Sequence, residues 1–352
     1  MKIGLITFHD TNNFGSYLQT YGLYKKIVDL GYKCDIIDYQ CESIIKRELP
    51  KPFKFTLNPK KLLIQILFAP TFKRKYKNLI SFLHKNMTLS ERVTRSNVEI
   101  VAEQYDKFFV GSDIVWGLDI VDNDTAYFLD FVNESHKKFA FASSIGNPWN
   151  VEEKELVKPY LATFNSIAVR ENESADWVEE LIGIKPYVVC DPTMLLEPSE
   201  WQKYASNKYA GQKYVLVYFP TDANLKAAKA YAETHNIPCY VINQSLPLRG
   251  VTNVNPETMD DFLSLFMNAT FVCTGSYHGM LFSIYFNRQF AYFNRAHKSR
   301  MNTLANKLGV SDREGTEKNV IEMTQIDYDK VNQSVEQYRL YSTGILKDML
   351  EQ

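Results

Sequence analysis

Short apolar runs alternate with stretches of helical hydrophobic period along most of this chain. Lys2–Phe8 reads as a buried strand, Asn12–Ser16 as a turn, and Tyr17–Leu30 as a helix ending at Gly31, a suitable C-cap. Cys34–Asp38 is a second strand, and two helices are predicted around Leu62–Leu67 and Phe72–His84. Strands follow at Lys107–Val110, Lys138–Ala142, Ser166–Val169 and Tyr187–Cys190, with helices at Val151–Phe164 and Asn172–Leu181. Pro192–Gln212 carries prolines and weaker periodicity and reads as a link. A second alternation then begins. Its strands are Tyr214–Phe219, Pro238–Ile242, Thr270–Thr274 and Gln289–Phe293. Its helices are Ala223–Thr234, Glu257–Met267, Tyr277–Phe286 and Lys298–Lys307, before a long terminal helix at Tyr328–Leu350.

Alternation of this kind implies parallel sheets covered on both faces, an α/β fold. The expectation is two doubly wound, Rossmann-like domains facing across a cleft. The first is residues 1–197 with a helical insertion at about 46–86. The second is 198–352, its terminal helix packing back on the first. Ligands of such sheets lie at the carboxyl ends of the strands. The Asn13-Phe-Gly, Gly111-Ser-Asp and Ser276-Tyr-His clusters fall at those ends.

The length of 352 residues agrees with two domains, and 45% apolar residues allow sizeable cores. A net charge of −1 argues against nucleic-acid binding. The five cysteines form no CxxC pair, so reduced core thiols are expected, with no metal site and a cytoplasmic setting. Met1–Asp10 has too short an apolar run for a signal peptide, and no run is long enough to span a membrane. Charge is uneven all the same: eleven bases and one acid, Glu48, lie between Lys46 and Lys85. With the apolar Leu62–Phe68 run, this is either a peripheral contact with an anionic membrane or a solvated basic face.

His278 has the strongest chemical claim. It stands between Gly275 and Gly279 where a strand hands over to a helix, beside backbone N–H groups suited to a phosphate or carboxylate. A lone histidine here is more often a core or capping residue; the junction favours proton transfer to an anionic substrate. Arg295, Lys298 and Arg300 lie where a strand passes into the next helix, as either a solvated cationic turn or the ligands of a phosphate or carboxylate; cations there oppose the dipole unless an anion is near. Asn13, Gly15 and Ser16 make a turn that holds an anion or simply caps a helix. Asp113 and Trp116 offer a sugar a carboxylate and an aromatic face; a cap and a core indole are the alternatives. Arg170 closes another strand and is either a structural residue or a ligand for the donor.

Taken in order, several motifs resemble the polysaccharide pyruvyl transferase family. They are Asn13-Phe-Gly-Ser-Tyr-Leu-Gln19, Phe109-Val-Gly-Ser-Asp-Ile-Val-Trp116, Ser143-Ser-Ile-Gly146, Val169-Arg-Glu171, Cys190-Asp-Pro-Thr-Met-Leu-Leu196 and Thr274-Gly-Ser-Tyr-His-Gly279. The resemblance implies a GT-B-like fold and transfer of the enolpyruvyl group of phosphoenolpyruvate to a sugar diol of a cell-surface glycan precursor. The product is a pyruvate ketal, with phosphate released. It implies His278 as general acid. Gly275, Ser276, Tyr277, Gly279, Arg170, Arg295, Lys298 and Arg300 fall on the donor side. Asn13, Gly15, Ser16, Asp113 and Trp116 fall on the acceptor side. Phosphoenolpyruvate is a co-substrate and no cofactor is expected; the acceptor is a sugar or lipid-linked saccharide. Better-characterised members carry Arg where this chain has Ser276, so Arg295, Lys298 and Arg300 are expected to supply that charge. Two rival readings are a GT-B-type glycosyltransferase using a nucleotide-sugar and a non-catalytic glycan- or nucleotide-binding relative.

Overall fold

The computed structural model describes residues 1–49, 58–243, 246–294 and 298–352, leaving out the side chains of residues 60, 61, 64, 65, 67, 68, 298 and 299. The chain divides into two compact units: Met1–Leu49, Ile80–Leu196 and Glu336–Gln352 form the first, Pro50–Leu79 and Glu197–Val335 the second. The chain thus passes between units four times, and most of the basic segment goes with the second.

The first stretch of chain supplies β1 (Lys2–Ile6), α1 (Phe14–Asp29), β2 (Lys33–Tyr39), α2 (Glu42–Glu48), α3 (Pro59–Asn86), β3 (Leu89–Val93) and β4 (Lys107–Val110). It continues with α4 (Leu118–Val121), β5 (Lys138–Ser143), α5 (Val151–Leu161), β6 (Ser166–Val169), α6 (Asn172–Ile182) and β7 (Tyr187–Val188). The seven strands pair in parallel in the order β3-β2-β1-β4-β5-β6-β7, a doubly wound sheet. Ile3 to Ile6 and all of β4 and β5 are buried, as strands covered on both faces should be. Phe109 and Phe139 stack across β4 and β5 at 5.1 Å.

Downstream come α7 (Pro198–Gln202), β8 (Val215–Tyr218), α8 (Asp222–Thr234), β9 (Cys239–Ile242), β10 (Thr252–Val254) and α9 (Met259–Asn268). Then follow β11 (Phe271–Thr274), α10 (Tyr277–Tyr285), β12 (Gln289–Tyr292), α11 (Lys298–Leu308) and α12 (Tyr328–Glu351). A five-stranded parallel sheet runs β10-β9-β8-β11-β12. Its core gathers Val215, Val217, Phe271 and Cys273 against Ala227 and Ala228 of α8. All five cysteines are free and buried, and burial pushes the Cys190 thiol up to about 12 and that of Cys239 to about 11.

The structure differs from the sequence reading in instructive places. The two helices of the basic segment are one, α3, which continues through Pro70. A proline removes one helical hydrogen bond but does not forbid the turn around it. The link at Pro192–Gln212 is structured: Pro192–Leu195 is a buried single turn, and Trp201 on α7 is fully buried. Short elements α2, β3 and β10 lack enough residues to show a period.

The Pro192 turn packs on α1 so closely that only hydrogen fits between them. A Cβ on Gly22 would lie 2.5 Å from the Pro192 carbonyl oxygen. Gly22→Ala should therefore lower stability by about 1–3 kcal/mol, the usual cost of overpacking, even though Ala favours helix. Chemical denaturation measures it; unchanged stability would mean that the 191–196 segment can retreat freely.

Candidate functional site

In the second unit β11 ends at Thr274 and α10 begins at Tyr277, so Gly275 and Ser276 form the corner. The Ser276 N–H donates to Thr274 Oγ1 (3.0 Å), and the Gly275 N–H donates to the Tyr218 carbonyl at the end of β8 (3.0 Å). Ser276 is the N-cap of α10, its hydroxyl accepting from the Gly279 N–H at 3.4 Å. A Cβ on Gly279 would sit 2.2 Å from Thr274 Oγ1 and 3.0 Å from Tyr218 Cδ1, so this close approach requires glycine. From Gly279 to Tyr285 α10 is buried, while His278 in its first turn is half-buried. The His278 ring meets Tyr277 edge-on, 5.8 Å between centroids. Gly275, Ser276, Tyr277, His278 and Gly279 therefore form one corner at the positive end of a helix dipole.

Arg295 and the Lys298 side chain lie outside the described residues; Arg300 is half-buried in the first turn of α11. Beside the corner, Phe219 follows β8 with φ +57° and 40% of its surface exposed. A bulky residue in the left-handed region is strained, and such strain gathers at ligand sites. The sequence reads Phe219 as the last residue of a strand, and nothing in its neighbours marks the left-handed backbone.

In the first unit the candidate residues meet at the carboxyl ends of β1 and β4. Asn13 caps α1, its side-chain oxygen accepting from the Gly15 N–H at 3.0 Å. The Ser16 hydroxyl donates to Asp113 Oδ2 (2.9 Å), and Asp113 Oδ1 accepts from the Ile114 N–H (2.9 Å). Asp113 is itself left-handed, φ +80°. Beneath it, Thr7 Oγ1 donates to the Ser112 carbonyl (2.8 Å), so the Gly111–Asp113 loop is fixed to the end of β1.

Two of the expected ligands are structural. Trp116 is fully buried, donates its indole N–H to the Tyr127 carbonyl (2.8 Å) and stacks on Phe128, so it cannot present a face to a sugar. Arg170 is buried too: Nη1 lies 2.9 Å from Asp191 Oδ2 and 3.2 Å from the Ser112 hydroxyl, and Nε is 3.8 Å from Glu171. Its charge belongs to an internal ion pair.

Residues 13–297 match the family model for polysaccharide pyruvyl transferase. The chain belongs to the polysaccharide pyruvyl transferase family. The matched region of this family member includes both corners, the start of α1 and the start of α10. No curated protein matches the chain. Solved structures share its fold at low identity. The UDP-N-acetylglucosamine 2-epimerase from Rickettsia bellii has a TM-score of 0.56 at 12% identity, over 100% of this chain and 96% of that one. The UDP-GlcNAc 2-epimerase from Neisseria meningitidis, bound to UDP-GlcNAc, has a TM-score of 0.51 at 10% identity, over 99% of each chain. These place the pyruvyl transferase family member among GT-B-like folds built from two parallel-sheet α/β domains.

A buried pair escaped the sequence reading. His9 Nε2 lies 3.1 Å from Asp38 Oδ1, and its Nδ1 3.2 Å from the Thr7 carbonyl. Gln40 and Arg92 also donate to Asp38, at 2.6 and 3.1 Å. Burial pushes the Asp38 carboxyl up, but hydrogen bonding and charge from His9, then from Arg92, outweigh it and bring it down to about 2. Both residues stand at strand ends, the signal already used for the other clusters. A carboxyl depressed on folding stabilises above its unfolded pKa of ~4 and loses that contribution as pH falls towards about 2. Asp38→Asn should then destabilise by roughly 2 kcal/mol at pH 7. Melting curves from pH 7 to pH 2 should show the gap to the native protein closing below pH 4; a constant gap would refute the assignment.

Proposed function

We propose that this protein transfers the enolpyruvyl unit of phosphoenolpyruvate to two hydroxyls of a sugar in a cell-surface glycan precursor. Its place in the polysaccharide pyruvyl transferase family and the position of His278 support this reading. His278, as imidazolium, gives its proton to the methylene carbon of the donor, which becomes a methyl group. The phosphate-bearing carbon becomes cationic and a sugar hydroxyl attacks it, losing its proton. The C–O bond to phosphate breaks, and a second hydroxyl closes the ketal with loss of its proton. The start of α10, Arg295, Lys298 and Arg300 hold the donor's phosphate and carboxylate. The hydroxyl of Ser276 serves as the helix cap, so it leaves charge neutralisation to those cations. Asn13, Ser16 and Asp113 receive the acceptor.

His278→Gln should leave the melting temperature nearly unchanged and cut phosphate release from phosphoenolpyruvate by ~100-fold or more, the scale of general-acid loss. Full activity would remove His278 from the chemistry. Release of a nucleotide from a nucleotide-sugar, with phosphoenolpyruvate inert, would establish the glycosyltransferase reading instead. Binding of either donor without turnover would leave a non-catalytic relative.

A lipid-linked acceptor brings the protein to a membrane surface through α3. Leu63 and Ile66, three residues apart on this helix, are 47% and 55% exposed, and Lys73 and Lys77 are exposed further along. Arg74 is committed to Glu257 through a two-pronged ion pair at 2.7 Å, and Lys75 is buried. No described helix is long and apolar enough to cross a membrane. Binding to anionic vesicles should weaken as salt rises and fall when Lys73 and Lys77 become Gln, each base contributing about 1 kcal/mol. Absence of binding at low salt would leave α3 a solvated face.

A further inference from the structure

A cavity of ≈ 630 Å³ opens in the first unit, past the carboxyl ends of β2 and β3. Its volume lies in the range of small-molecule sites, and its position is the ligand-binding side of a parallel sheet. None of the residues assigned above to donor or acceptor lines it.

One wall is fixed by a closed set of hydrogen bonds. The Tyr39 hydroxyl donates to Asp124 Oδ2 (2.5 Å), whose other oxygen accepts from the Ala126 N–H (3.0 Å). Arg95 forks onto Asp130 at 2.7 and 2.6 Å, and the Thr125 hydroxyl donates to the same carboxylate. Arg95 itself lines the cavity and is exposed there, but its charge is already balanced by Asp130. The carboxylates lining the cavity are Glu42, Asp122 and Asp124, and Glu42 is held by Lys46 at 2.5 Å. Asp122 and Asn123 follow one another in the left-handed region, φ +55° and +59°, with both residues exposed at the rim. Two such residues in sequence are tolerated only where the turn is held by its surroundings. Hydroxyls and amides (Ser43, Thr94, Ser96, Gln40) share the rest of the lining with apolar carbon, which makes up somewhat more than half of its surface and includes Cys41, Ile45 and Val121.

Three lining carboxylates stand against one lining cation, Arg95, which Asp130 already engages, so phosphate, carboxylate and nucleotide are disfavoured. Acceptor oxygens beside hydroxyls and amides suit a ligand rich in hydroxyl donors, and the apolar part of the lining suits the C–H face of a sugar ring. We propose that this cavity is a saccharide subsite that takes an uncharged sugar residue and discriminates against uronic acids. As the seat of part of the acceptor it rests on the function proposed above; as a sugar site it does not.

The test uses the full chain without phosphoenolpyruvate. Saturation-transfer NMR and calorimetry are run with lactose, cellobiose and maltose, and with methyl β-D-glucoside against methyl β-D-glucuronide. At least one neutral disaccharide should bind, and the glucoside should bind better than the glucuronide. Ser96→Trp, at an exposed lining position, should weaken binding about 10-fold or more, a loss of about 1.4 kcal/mol, with an unchanged melting temperature. Asp122→Asn keeps a residue that tolerates the left-handed backbone and should narrow the preference against the glucuronide. No binding of any neutral sugar, equal binding of the glucuronide, or undiminished binding in folded Ser96→Trp overturns the proposal. Sugar binding that persists in a protein inert towards phosphoenolpyruvate would overturn the enzymatic reading and leave the subsite standing.

Discussion

The ion pair between Arg170 and Asp191 organises the first unit. Both groups are out of water, so the pair survives only because each is also satisfied elsewhere: Asp191 by Thr193, Arg170 by Ser112. Breaking such a pair from one side costs about 3–5 kcal/mol, whereas a well-packed apolar replacement of both often costs little. Its contribution is therefore positional. It joins the end of β6 to the turn after β7 and, through Ser112, to the loop that carries Asp113. The same turn receives Arg339 of α12 through the Met194 carbonyl at 2.8 Å.

How much of this was legible in the sequence depends on the kind of signal. Strands such as β4 and β11 announce themselves because burial on both faces demands continuous apolar residues. Helices such as α8 and α10 announce themselves by period, and the motif Thr274–Gly279 marks its own corner because only glycine allows α10 to lie against Thr274 and Tyr218. Elements of three to seven residues, such as β10 and α2, carry no period. Trp116 was read as a sugar platform because an indole has the same composition whether it faces solvent or a Phe. Arg170 was read as a ligand because its partner, Asp191, is distant in sequence.

Backbone conformation was the least legible layer. Asp113, Asp122, Asn123 and Phe219 all adopt left-handed φ angles at strand ends or loops. Aspartate and asparagine tolerate that region and leave no trace in the sequence; phenylalanine does not, and still nothing in its neighbours foretells it. The His9–Asp38 pair was hidden for a related reason, since two polar residues at the ends of neighbouring strands become partners only once the register of β1 and β2 is set.

The first unit is closed by the segment Glu336–Gln352, far along the chain from its strands. Lys107, buried on β4, donates to the carbonyls of Met349 and Leu350, and Ser342 accepts the N–H of Cys190. During synthesis this unit consequently cannot finish folding as it emerges from the ribosome. Its sheet has to wait, with part of its packing missing, until residues 336–352 have been made. The second unit, whose pieces end at Val335, is complete sooner. The order of completion thus runs opposite to the order in which the two sheets are translated, and the exposed interval falls on the unit that holds β1 to β7.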